Sequence, residues 1–113
     1  MKKVIQNGDT ATGHRDILGN AITGTITCSA KMKLLGTDAG RNGDIVNFPS
    51  HPHALDGHGN PTNYRSHAVA VIGTAKLQVS GQHCAVDGDR VPVADEAGPD
   101  ANMIATQTVL QSN

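Results

Sequence analysis

Six histidines in a chain of 113 residues are the side chains best equipped for chemistry here. Neutral imidazole is the commonest transition-metal ligand, and Zn²⁺ takes four N, S or O donors in a tetrahedron. Four of the six, His51, His53, His58 and His67, lie in or beside one loop-rich stretch, residues 47–66. His51 and His53 flank Pro52, and an extended segment would point their two imidazoles the same way. His14 and His58 each follow a glycine, in segments that read as loops between a Gly-Asp pair and the next strand. The spacing is neither a Cys-x-x-Cys site nor a His-Glu-x-x-His helix. Unrelated solvated loop histidines would give the same pattern, so the question becomes whether the fold gathers them.

The elements that must position them come from an internal duplication. Residues 74–91 (TAKLQVSGQHCAVDGDRV) restate residues 29–46 (SAKMKLLGTDAGRNGDIV) at a constant offset of 45. Ala30/Ala75, Lys31/Lys76, Gly36/Gly81, Gly43/Gly88, Asp44/Asp89 and Val46/Val91 are identical. Six identities in eighteen positions exceed the roughly one expected from background composition. Each copy opens on an alternating run, Lys31–Leu34 or Lys76–Val79, with the period of a half-buried strand. Gly36 or Gly81 then sits where a hairpin reverses and a positive φ is favoured. Gly-Asp closes each copy with turn chemistry, the Asp expected to bond the N–H groups that follow it. A lone hairpin is not stable in water, so the copies must pack on one another.

The rest of the chain fits around these copies. Residues 4–9 form a short strand into a turn, and Asn7-Gly8-Asp9 repeats as Asn42-Gly43-Asp44. Residues 10–19 read as a loop, and residues 20–28 as a strand of high β propensity. Pro49, Pro52, Gly57, Gly59 and Pro61 argue against regular structure of any length in 47–66. Residues 67–73 form an apolar strand, and Met103–Leu110 alternates as a last one after a polar loop. Chain ends often lie close together. The N-terminal fragment and the last strand are therefore expected to combine as a third lobe, closing a pseudo-threefold ring.

Composition bounds the rest. The chain, residues 1–113, reads as one domain with a small core, with thirteen glycines, one Phe and one Tyr. A net charge of −1 without a basic run argues against nucleic acid as a partner. The start, MKKVIQNGD, lacks the apolar core of a signal peptide, and no apolar run is long enough to span a bilayer. Cys28 and Cys84 read as buried free thiols, with a disulfide or a metal ligand as the alternatives.

Cys28-Ser29 through Gly43-Asp44, and Gly73-Thr74 through Gly88-Asp89, resemble the units of the PAAR-repeat family. The His14 segment after Gly8-Asp9 is similar to that family's first Gly-Asp…His. Pro49-Ser50-His51 is similar to its Cys-Pro-x-His, with Phe48 where the Cys would stand. His67, six residues before Gly73-Thr74, resembles a further family histidine. The Pro-Ala-Arg triplet itself is missing from both copies, and no Cys or His follows Gly88-Asp89.

The resemblance implies an all-β fold of short strands and hairpins in a pseudo-threefold cone. It implies a non-enzymatic tip that caps a trimeric β-helical spike, one copy per trimer, in phage tails, R-type pyocins or type VI secretion. The partner would be a VgrG-like or phage central spike, and contact with the target membrane transient. Such a protein is made in the cytoplasm without a signal peptide and works at a virion tail tip or injection apparatus. It also implies a metal, zinc or else iron, with His14, His51 and His67 as ligands by position. His53 belongs to the same candidate set, and His58, Cys84 or water is left for the last place. A β-barrel adaptor or capsid protein is one alternative. A small zinc hydrolase using His14, His51 and His53, with Asp16, Asp44 or Asp56 as base, is another.

Overall fold

The computed structural model describes residues 2–29, 33–34, 36–93, 100–107 and 111–112. Ala30, Lys31, Met32 and Leu35 of the first copy, most of the polar loop (94–99) and positions 108–110 of the last strand lie outside them. The chain is all-β, with no helix among the described residues. In order the strands are β1 (Lys2–Lys3), β2 (Thr10–Arg15), β3 (Ala21–Thr27), β4 (Lys33–Leu34), β5 (Thr37–Asp38) and β6 (Ile45–Leu55). There follow β7 (Pro61–Ala70), β8 (Gln78–Val79), β9 (Gln82–His83), β10 (Arg90–Val91), β11 (Ala101–Ile104) and β12 (Gln111–Ser112). Six of them make one antiparallel sheet in the order β10-β11-β2-β3-β6-β7. A hydrogen bond from Ile72 N–H to the Arg90 carbonyl, 3.0 Å, draws the two outer strands together at one end, so the sheet curls on itself.

Three two-stranded ribbons, β1-β12, β4-β5 and β8-β9, flank that end. The glycines expected to turn the last two have positive φ, 81° at Gly36 and 84° at Gly81. Between the ribbons and the sheet, one hydrogen-bond set occurs three times. Gly8, Gly43 and Gly88 have φ of 90°, 91° and 89°. Asp9, Asp44 and Asp89 are buried, and each carboxylate accepts from the N–H three residues before it: Gln6 at 2.8 Å, Arg41 at 2.9 Å and Val86 at 2.8 Å. This corrects the expected turn chemistry, because the carboxylate reaches back rather than forward. Each also receives a hydroxyl from a residue that lies just past the end of a strand or between strands: Thr106 on Asp9 at 2.7 Å, Ser29 on Asp44 at 2.5 Å, and Thr74 on Asp89. Bonds to a charged acceptor are the stronger kind, and they explain how three carboxylates tolerate burial.

At the centre the three segments bond to each other in a closed ring. Ile5 N–H donates to Ala85 at 2.9 Å, Ala85 N–H to Gly40 at 2.9 Å, and Gly40 N–H back to Ile5 at 2.8 Å. Only one large side chain fits there: a Cβ on Gly40 would lie 3.1 Å from Ile5 Cγ2. Above the ring, Ile26, Val46, Val71, Val91, Ala11, Met103 and Phe48 form the main core.

Two expected loops are overturned as well. Residues 10–19 are not a loop, since β2 occupies most of them, and the Pro-rich middle holds the two longest strands, β6 and β7. Pro61 opens β7, Pro49 falls in a bulge, and Pro52 lies where β6 is paired on one side only. Those are positions at which a strand tolerates a missing N–H. The protein's extents are 49 × 22 × 20 Å.

Candidate metal centre

Two bulges aim the histidines. Along β6 the alternation turns Val46 and Phe48 inward, which would point His51 outward. Between Phe48 and His51 the register to β7 shifts, three steps on β6 facing two on β7 (Phe48↔His67, His51↔Arg65). The extra residue swings His51 to the inner face, where it is buried. β2 repeats the device: Ala11 pairs with Gly24 and His14 with Ile22, and Gly13, at φ 106°, supplies the kink. His67 needs no bulge, as it stands opposite Phe48.

Nitrogen atoms of His14, His51 and His67 thus come within 4.8 Å of one another where the apolar core ends. His51 Nε2 and His67 Nε2 are 3.2 Å apart, close to the about 3.3 Å between neighbouring donors of a tetrahedral zinc. The ring centroids are separated by 5.6, 5.7 and 4.9 Å, against about 5 Å for imidazoles sharing such an ion. His51 Nδ1 lies 2.6 Å from the Pro49 carbonyl oxygen. A carbonyl can only accept, so the proton is on Nδ1 and Nε2 presents its lone pair. Phe48 stacks on His67 at 5.1 Å and meets His14 edge-on at 5.5 Å. It is the packing floor of the site. Gly24 makes room for it, since a Cβ there would lie 2.8 Å from Phe48 Cε1.

The chain matches no family model, no curated protein and no solved structure in the comparisons made. The geometry of the three histidines is what points to a metal.

The other candidates are not part of that group of three. His58 sits in the exposed turn that joins β6 to β7, its N–H on Asp56 Oδ1 at 2.8 Å, outside the group of three. His53 stacks on His51 at 4.5 Å but is not among the three whose nitrogens converge. Cys84 does not complete the shell: it packs with Val4, Ala39, Ala75, Val79 and Val86. Both cysteines are free, Cys84 buried but Cys28 only partly so, which corrects the expectation for Cys28. Burial, with nearby aspartates, pushes the Cys28 thiol up to about 12 and the Cys84 thiol to about 11. Neither offers a thiolate at neutral pH.

A signal of the turns beyond the site lay unread in the sequence. Asp16-Ile-Leu-Gly-Asn20 and Asp56-Gly-His-Gly-Asn60 share one pattern. In both, the Asp carboxylate takes N–H bonds from residues two and four ahead, at 2.8–2.9 Å. Burial raises the Asp16 carboxyl, but the N–H groups of Asn20 and Leu18 outweigh it and hold it below its ordinary value.

Proposed function

We propose that this protein is a non-enzymatic, metal-stabilised conical tip that caps a trimeric β-helical spike. The observation that carries the reading is the closed ring of Ile5, Gly40 and Ala85, with its thrice-repeated Asp-centred bonding. One chain that presents nearly the same face three times can satisfy three identical chains at once. Next to that ring, each seam between neighbouring hairpins exposes one isoleucine. Ile45 is paired with Thr27, Ile104 with Thr10, and Ile72 bonds Arg90. Their exposures are nearly equal at 41, 42 and 38%, a repeated apolar contact suited to a threefold partner.

The metal reading follows from the imidazoles that converge from β2, β6 and β7, where an ion would link three strands without needing the volume of an apolar core. Zinc suits an all-imidazole set, with iron as the alternative. The PAAR-repeat resemblance joins these features to phage tails and contractile secretion machines, where the tip would meet the target membrane. A hydrolase fits less well. Asp16, Asp44 and Asp56 are all held by structural N–H or hydroxyl donors. A polar depression of about 340 Å³ lined by Ser29, Arg41, Asn42, Gly43, Asp44 and Gln82 includes none of the histidines.

The test is capture by trimeric VgrG-like and phage central spikes, read by native mass spectrometry. One copy per trimer is expected, lost on Ile45→Glu with Ile104→Glu. A stable homotrimer or homohexamer of this chain alone would overturn the reading.

A further inference from the structure

We infer that His53 is the fourth ligand of the histidine centre, completing an all-imidazole shell. The inference rests on the metal reading above, and three observations carry it. First, once the bulge has set His51 inward, the two-residue strand period places His53 on the same face. Its ring stands 4.5 Å from that of His51 and 5.5 Å from that of His67. The second distance is shorter than either separation of His14 from its two partners, 5.6 and 5.7 Å.

Second, His53 is oriented as ligating histidines are. Its Nδ1 faces the Asn63 carbonyl oxygen across the hairpin at 3.2 Å, as His51 Nδ1 faces Pro49. The ring proton is thereby held on Nδ1, leaving Nε2 as the donor atom toward an ion. Third, Asn63 has a φ of 57°, in the left-handed region that non-glycine residues seldom occupy. That backbone twist lies at the residue whose carbonyl meets His53. His83 has a similar anchor, on Ala75 at 2.8 Å, yet it is exposed on a ribbon and belongs to no histidine cluster. Anchor and cluster coincide at His53.

Metal entry then requires the stacked rings of His51 and His53 to separate, so that both nitrogens turn to one ion. Cys84 and His58 lie outside the cluster, and the Asp16 carboxylate is held by the N–H groups of Leu18 and Asn20.

The experiment loads the whole protein with Co(II) and records its visible spectrum with and without azide. A filled four-imidazole shell gives an intense tetrahedral spectrum indifferent to azide. In His53→Ala the opened position makes the spectrum azide-sensitive, and Co(II) affinity falls roughly tenfold or more. A wild-type spectrum that responds to azide overturns the role of His53 while leaving a three-histidine centre in place. Failure of the wild type to take up Co(II) or Zn²⁺ at all removes both readings. X-ray absorption on the zinc-loaded wild type, counting four imidazoles or three, decides the matter without any variant.

Discussion

Thr106 donates its hydroxyl to the buried carboxylate of Asp9 at 2.7 Å, across 97 residues of sequence. The same bond joins Ser29 to Asp44 and Thr74 to Asp89. In the second and third cases donor and acceptor are only 15 residues apart. The first instead links the two ends of the chain, which also pair as β1 with β12.

If the three junctions are energetically equivalent, Ser29→Ala, Thr74→Val and Thr106→Val should cost alike, about 1.5–3 kcal/mol each, the worth of a bond to a charged group. Urea unfolding of the three variants measures this. A silent Thr106→Val beside two costly partners would show that the terminal junction bears no load.

The turn glycines were legible because they depend on local chemistry that the sequence spells out, whereas the backward reach of the carboxylates and their hydroxyl donors were not. Gly-Asp needs a left-handed glycine and a short carboxylate, and both survive in every copy. The site was harder to read. Whether His14 and His51 face inward depends on one extra residue in each strand, and a bulge leaves almost no mark beyond Gly13 and Pro49. The long hairpin was hidden for a related reason. Pro49, Pro52 and Pro61 look like strand breakers until it is known that Pro49 sits in the bulge, that β6 has no second ladder at Pro52, and that Pro61 opens β7. Phe48 was noticed only as a departure from Cys, yet it is the surface on which His67 stacks.

Two kinds of glycine in this fold should be separated by substitution. Gly36 and Gly81 have positive φ, but a Cβ would touch nothing within 4 Å. Gly36→Val and Gly81→Val should therefore each cost about 1–2 kcal/mol, the penalty of a left-handed side chain. Gly24 is crowded instead, with Val46 Cγ1 2.7 Å from an added Cβ. Gly24→Ala should cost about 1–3 kcal/mol by overpacking. Phe48→Leu should then be less harmful in the Gly24→Ala background than in the wild type. Additive losses in that double-mutant cycle would contradict the packing account.

The Asp56 turn should give a pH signature. N–H donors from Asn60 and His58 hold the Asp56 carboxyl below its ordinary 3.8. A carboxyl depressed in the folded state stabilises above the unfolded value and loses that contribution as pH falls through the folded one. The melting temperature of Asp56→Asn should thus lie below that of the wild type at pH 7, and the gap should close below about pH 4. A gap independent of pH would mean that shape, not charge, holds the turn.

The histidine centre makes the strongest demand. An ion bound to the folded chain alone stabilises it by about 2.7 kcal/mol at a hundredfold excess over its dissociation constant. Wild-type protein should therefore lose melting temperature on treatment with a chelator and regain it with Zn²⁺. His14→Ala and His51→Ala should melt low from the start, hold substoichiometric metal, and ignore both chelator and Zn²⁺. His58→Ala, altered at the exposed turn, should behave as wild type. Metal content by mass spectrometry and thermal melts of the same samples check all four proteins. If His14→Ala and His51→Ala kept both the ion and the melting temperature, the convergence of these rings would be packing alone, because the bulges of β2 and β6 would then orient side chains that bind nothing.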